Sequence, residues 1–154
     1  MSADQVEQAL GAVVREQVIL QLAIFAGIRP GELLAIQREN VRPEGSVIEI
    51  RRRVYRGKFA DPKNGLVRTV AVPVPPQTAS FLREWMEMAV ERNPAAYIFA
   101  GETGQPLWRS SRLEDHIKVK LLPVGLGWVN FQVMRRTHAS LGHHAKVDPK
   151  VAAD

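Results

Sequence analysis

Hydrophobic residues recur at helical spacing in the first part of the chain. From Val6 to Val18 they fall every three or four positions, and from there to Phe25 nearly every residue is apolar. A helix that is apolar all round is typical of the centre of a domain, so we expect this one to run through the core and to end at Gly27. Pro30 suits the first turn of a second helix, which residues 31–36 continue.

Alternating apolar residues mark the middle of the chain. The alternation runs from Val47 to Val54 and again from Val70 to Val74, and a turn sequence, Asp-Pro-Lys-Asn-Gly, stands at 61–65 between them. This pattern predicts strands joined by a hairpin whose tip lies near Lys63. Helical spacing returns at 78–90, 111–121 and 131–143. We expect one α+β domain over residues 1–154, mainly α, with a small antiparallel three-stranded sheet.

The composition narrows the class of protein. Hydrophobic residues make up 45% and charged residues 24% of the 154 positions, as in an ordinary globular protein. Cysteine is absent, which excludes a disulfide framework and a thiolate metal site and favours the reducing cytoplasm. The longest apolar stretch is far too short to cross a bilayer. We expect no cofactor, no metal site and no membrane contact.

Positive charge is concentrated downstream. Residues 1–50 contain 4 Lys/Arg and 7 Asp/Glu, whereas residues 51–150 contain 17 and 8. The formal net charge of the whole chain is +5. A basic surface of this kind favours a polyanionic partner such as DNA.

Three segments carry candidate chemistry. Residues 26–36, Ala-Gly-Ile-Arg-Pro-Gly-Glu-Leu-Leu-Ala-Ile, put Arg29 in a turn before a helix. Residues 68–73, Arg-Thr-Val-Ala-Val-Pro, close the hairpin that presents Lys63. Residues 134–141, Met-Arg-Arg-Thr-His-Ala-Ser-Leu, put Arg135 and Arg136 on a helix. Over nearly its whole length the chain resembles the catalytic domain of the tyrosine recombinases, the phage integrase family, whose two arginine boxes and lysine hairpin these segments match.

The resemblance implies site-specific DNA breakage and rejoining through a phosphotyrosine. Arg29 and Arg135 would bind the non-bridging oxygens of the attacked phosphate, because guanidinium groups neutralise the charge that builds there. Lys63 would protonate the leaving 5′ oxygen as the general acid. Gln132 stands where the family usually has His or Lys, and it can donate a hydrogen bond but cannot transfer a proton.

The resemblance also implies that part of the machinery is missing. The family's nucleophilic tyrosine follows the second arginine box, whereas Tyr55 and Tyr97 both precede it. We therefore expect a catalytic domain truncated before its nucleophile, without an N-terminal core-binding domain, that binds DNA but does not cleave it alone. Its partners would be double-stranded DNA and the intact protomers of a recombinase tetramer.

A second group of cations is expected to contact DNA phosphates. It comprises Arg51, Arg53, Arg56, Lys58, Arg68 and Arg136. Simpler interpretations remain open, since strand arginines can form a solvated face and Lys58 or Arg68 could be mistaken for the lysine at the hairpin tip. Arg29 could likewise be a solvated loop residue, and Arg135 could form a buried ion pair with Glu32.

Two other functions compete with recombination. A naturally truncated or decayed integrase would occupy DNA without cleaving it, which Gln132 favours. A metal-dependent nuclease would need a cluster of carboxylates. The histidines at 138, 143 and 144 do not complete a ligand set, because adjacent helical residues point in different directions. The three tryptophans are interpreted as core or hinge packing rather than as platforms for bases.

Overall fold

A computed structural model describes residues 14–60, 70–107 and 110–144. In chain order its helices are α1 (Val14–Phe25), α2 (Pro30–Leu33), α3 (Pro76–Met88), α4 (Ser110–Leu121) and α5 (Phe131–His144). Its strands are β1 (Val47–Ile50), β2 (Arg53–Tyr55), β3 (Lys58–Ala60) and β4 (Val70–Pro73). The fold is therefore mainly helical with a small antiparallel component, as the sequence predicts.

Helix α1 runs through the centre of the described domain. Val18, Ile19, Leu22 and Ala23 on this helix are fully buried, and helices α3 and α5 both pack against it. Burial of an apolar side chain of Val, Ile or Leu size contributes about 1.5–3 kcal/mol. The prediction of a helix through the centre of the domain is confirmed, although its last residue, Phe25, is 46% exposed. The part of the helix expected before residue 14 lies outside the described residues.

Two partly buried polar contacts join neighbouring helices to α1. The carboxylate of Glu16 lies 2.6 Å from Arg15 Nη2 and 3.3 Å from Lys120 Nζ, which joins α1 to α4. Burial raises the pKa of Glu16, but Arg15 and Lys120 more than offset this effect, so its pKa lies below its usual value. On α3, the hydroxyl of Thr78 donates to Gln21 Oε1 at 2.8 Å and thereby joins that helix to α1.

The strands form two separate ladders. Strand β1 pairs antiparallel with β4, as predicted, and the register places Ile50 opposite Val70. Strand β2 pairs antiparallel with β3 through a turn at Arg56 and Gly57, whose φ angles are 49° and 76°. Two positive φ values are typical of the tight turns that match the twist of a hairpin. The predicted run from Val47 to Val54 is thus interrupted at 51–52, and its second part turns back at Arg56 and Gly57 to pair with β3. The prediction of one three-stranded sheet is therefore wrong for the part of the chain that is described.

The tryptophans differ in their environment. Trp85 stacks on Phe99 with 6.4 Å between ring centroids, and its indole N–H donates to the Ile98 carbonyl at 2.7 Å. Packing is confirmed for this residue. Trp128 is 64% exposed in the loop before α5, so the core interpretation is wrong there. Residue 108 lies outside the described ranges.

Candidate functional site

Arg29 lies in the turn between α1 and α2. The carboxylate of Glu32 accepts two hydrogen bonds from it, one from the backbone N–H at 3.2 Å and one from Nη1 at 3.3 Å. The side chain of Glu32 is 12% exposed and that of Arg29 is 39% exposed. The guanidinium is thus held from the protein side, while part of it remains accessible to a ligand such as a phosphate.

The first turn of α2 lies directly against strand β2. A methyl group on Gly31 would stand 2.7 Å from the Val54 carbonyl oxygen, which is too close for any side chain to fit without a shift of backbone. Glycine at this position therefore lets the Arg29 turn and the β2–β3 hairpin meet. The close approach gives a structural reason for the glycine that follows Pro30 in the first arginine box.

Helix α5 carries the second set of candidate residues. Asn130 caps its start, because its side-chain oxygen accepts the Val133 N–H at 2.9 Å. Phe131 and Met134 are buried and fix the inward face of the helix. The outward face is exposed and presents Gln132, Arg135 and Arg136.

The segments that carry Arg29 and Arg135 meet at His138. Its Nδ1 lies 3.0 Å from the Ile24 carbonyl at the end of α1, and its ring occupies the space that a side chain on Gly27 would fill. Gly27 is two residues before Arg29, and His138 is three residues after Arg135. The structure therefore brings together the turn and the helix that bear these arginines, which the sequence alone could not show.

Glu32 pairs with Arg29, and not with Arg135. Within the described residues no ion pair within 4.0 Å involves Arg135, whose side chain is exposed on α5. The alternative of a buried Arg135–Glu32 pair is therefore wrong for this structure. The signal that could have revealed the true partner was the spacing of three residues between Arg29 and Glu32 at the start of a helix, which favours contact.

The cations of the expected DNA track have different surroundings. Arg51 is bonded to Glu49 at 2.9 Å and lies 3.7 Å from Glu39, so acidic neighbours offset its charge. Arg53 is half-buried beside α2. The remaining described members are exposed, namely Arg56 and Lys58 on the β2–β3 hairpin and Arg136 on α5.

Aromatic rings accompany these hairpin cations. Arg56 Cζ lies 5.3 Å from the centroid of the Tyr55 ring, and Phe59 stacks on Tyr97 with 5.8 Å between centroids. The second contact anchors the hairpin to the body of the domain. Tyr55 is 65% exposed, so the hairpin tip offers both positive charge and an aromatic surface.

The remaining expectations concern two cations near the predicted hairpin tip, metal binding and membrane contact. Lys63 and Arg68 lie outside the described residues, and their roles stay predictions. In the described ranges, no three His, Asp or Glu side chains come close enough together to hold a metal ion. Nor is any helix of these ranges both long and apolar enough to span a membrane.

Comparison of the chain with known protein families identifies its family. The phage integrase family matches residues 1–154, so the chain belongs to that family. No curated protein matches the chain.

Solved structures show the same fold at low identity. The Tn1549 transposon integrase (residues 82–397) in complex with circular intermediate DNA has a TM-score of 0.73 and 15% identity, covering 99% of this chain and 56% of that one. XerA recombinase has a TM-score of 0.74 and 18% identity, with coverage of 99% and 53%. XerH recombinase bound to its difH substrate has 0.66 and 16%, with coverage of 99% and 44%. The chain thus spans about half the length of the solved structures it matches.

Proposed function

We propose that this chain forms the phosphate-binding core of a recombinase that breaks and rejoins DNA at specific sites through a phosphotyrosine. The observation that carries the proposal is the packing of the Arg29 turn against helix α5 through Gly27 and His138. Membership of the phage integrase family and the likeness to recombinases solved with DNA support the same chemistry.

Each residue of the site is proposed to have a separate role in phosphoryl transfer. In the complete protein a tyrosine hydroxyl attacks the phosphorus, and the 5′ oxygen leaves and takes a proton. Arg29 and Arg135 bind the non-bridging oxygens, where negative charge grows in the transition state. Lys63 supplies the proton to the leaving oxygen. Gln132, exposed one turn before Arg135, donates a hydrogen bond to the same phosphate without transferring a proton.

Neither tyrosine of residues 1–154 is proposed as the nucleophile. Both precede Arg135 in the chain, whereas the resemblance puts the nucleophile after the second arginine box. Tyr97 is also half-buried and stacked on Phe59, which restrains its ring. These 154 residues alone are therefore expected to bind DNA without cleaving it.

The β2–β3 hairpin is proposed as the main phosphate track beside the site. The ten residues 51–60 include five Lys or Arg and no Asp or Glu. Because Arg51 is already paired with Glu49, the exposed Arg56 and Lys58 are the stronger contacts. Arg53, Arg68 and Arg136 are proposed to add to this positive surface.

A second candidate function is occupation of DNA without catalysis. It is favoured by Gln132, since a histidine or lysine at this position could transfer a proton and glutamine cannot. The two functions make the same prediction for DNA binding by residues 1–154 and differ in cleavage by the complete protein.

A salt titration tests the proposal that this chain binds DNA through contacts with phosphates. Affinity for a labelled duplex should fall steeply as salt rises, because phosphate contacts release counterions. Arg56→Gln should reduce the slope of log affinity against log salt by about 1. Arg92→Gln is the matched control, because Arg92 is exposed but bonded to the Glu87 carbonyl at 2.7 Å. An affinity that does not change with salt would contradict the proposed surface.

A nicked suicide duplex tests the proposal that the complete protein cleaves DNA through a phosphotyrosine. The complete protein should form a covalent adduct with DNA, which denaturing electrophoresis detects, and residues 1–154 alone should form none. In the complete protein Arg135→Ala should reduce adduct formation far more than binding, because its bonds strengthen as the phosphate gains charge. An adduct formed by residues 1–154 would make Tyr55 or Tyr97 the nucleophile and overturn the assignment. A complete protein that binds but forms no adduct would favour the non-catalytic function.

A further inference from the structure

The imidazole of His138 fits against the backbone of Gly27. A methyl group on Gly27 would stand 2.6 Å from Cδ2 and 2.7 Å from Nε2 of this ring, closer than real carbon atoms of that kind come. The φ of +67° at Gly27 is also one that glycine adopts easily and other residues rarely adopt. Glycine is thus required twice at this position, once by the turn and once by the ring packed on it.

The same ring satisfies a carbonyl at the end of α1. A carbonyl oxygen can only accept, so His138 Nδ1 carries the proton and donates to Ile24 O at 3.0 Å. The last carbonyls of a helix have no partner inside the helix, and this bond gives one of them a partner. One side chain of α5 therefore makes both a steric and a hydrogen-bonded contact with the segment that leads into Arg29.

We propose that His138 is a positioning residue that sets the separation of Arg29 and Arg135. The proposal rests on the proposed function, in which these two arginines bind one phosphate. His138 lies one turn of α5 after Arg135 and contacts backbone two residues before Arg29, so it connects the two arginines by a short path. Two guanidiniums must be held at a fixed distance to bind the same phosphate, and a small displacement is costly to phosphoryl transfer.

A double-mutant cycle in the 154-residue chain tests the proposal. Arg29→Ala, Arg135→Ala and the double variant are titrated with a nicked duplex that carries a 3′-phosphate at the nick. Because two residues that hold one phosphate are coupled, the double variant should lose about tenfold less affinity than the product of the single losses. In a His138→Ala background this coupling should fall below about twofold.

Conservative variants separate positioning from general packing. The amide of His138→Asn can donate to Ile24 O from near the place of Nδ1, so this variant should recover most of the coupling. His116→Ala, on the exposed face of α4, removes an imidazole elsewhere and should leave the coupling unchanged. If His138→Ala does not fold, as judged by circular dichroism, His138→Asn is compared with His138→Gln instead. The longer side chain of glutamine places its amide farther from Ile24 O, so His138→Gln should show a lower coupling between Arg29 and Arg135.

Steric compensation gives an independent readout. Gly27→Ala should lower the melting temperature of the parent chain more than that of His138→Ala, because removal of the ring leaves space for the added methyl group.

The outcomes are distinguishable. If neither arginine variant weakens binding in the parent chain, the proposed function fails and the inference fails with it. If the arginines are coupled in the parent and remain equally coupled in His138→Ala, or in His138→Gln where that comparison is used, the proposed function stands and the inference is overturned.

Discussion

Replacement of Glu32 by Gln would test how the site orients Arg29. Glutamine has nearly the same size but offers one acceptor oxygen where the carboxylate offers two. It cannot accept hydrogen bonds on separate oxygens from both the Arg29 backbone N–H, now at 3.2 Å, and Nη1, now at 3.3 Å. Its NH₂ group would instead face one of these donors. The variant should therefore release either the start of helix α2 or the guanidinium.

The cost to folding can be worked out from the exposure of the two groups. Because the side chain of Arg29 is 39% exposed, the ion pair itself contributes about 0.5 kcal/mol at most. The bond from the backbone N–H to the side chain at the helix start contributes about 1 kcal/mol. The sum of about 1–1.5 kcal/mol corresponds to a fall in melting temperature of about 2–6 °C in a domain of this size.

DNA affinity provides the decisive comparison. Removal of any acidic charge should by itself favour DNA binding, so Glu102→Gln, in an exposed loop, is the matched control. We expect Glu32→Gln to bind a labelled duplex about fivefold more weakly than this control, which is about 1 kcal/mol, because Arg29 is no longer held in one orientation. If Glu32→Gln bound as tightly as Glu102→Gln, the view that Glu32 orients Arg29 for phosphate would be refuted.

Two further predictions concern stability. Gly31→Ala should destabilise the domain by about 1–3 kcal/mol in urea unfolding, because the added methyl group would meet the Val54 carbonyl 2.7 Å away; an unchanged midpoint would contradict the close approach of α2 to β2. Glu16→Gln should cost about 1–2 kcal/mol at pH 7, a figure reduced for the partly exposed Arg15 and Lys120. Because the folded pKa of Glu16 lies below its ordinary value of 4.5, this stabilisation is complete above that pH and is lost as the pH falls through the folded pKa. The difference between the parent and the variant should therefore shrink in unfolding curves measured from about pH 5 to pH 3, and a difference that grows on acidification would contradict the assignment.

The sequence by itself determined the elements and the candidate residues for chemistry. The run from Val18 to Phe25, apolar at every position except Gln21, predicted the central helix, because a helix that is apolar nearly all round is typical of the centre of a domain. The alternation at 47–54 and 70–74 predicted antiparallel strands, of which β1 and β4 pair at 47–50 and 70–73, and the spacing at 131–143 predicted α5. The two arginine boxes indicated the family, which the match over residues 1–154 confirms. All of these signals are local, so a single sequence contains them.

Only the tertiary structure decided which residues meet. The sequence left open a buried ion pair between Glu32 and Arg135, and the folded chain instead pairs Glu32 with Arg29. The sequence assigned no role to His138, whereas in the fold its ring packs on Gly27, over a hundred residues away in the chain. Contacts of this kind depend on how whole helices pack around a shared core, and no pattern within one helix encodes the position of another.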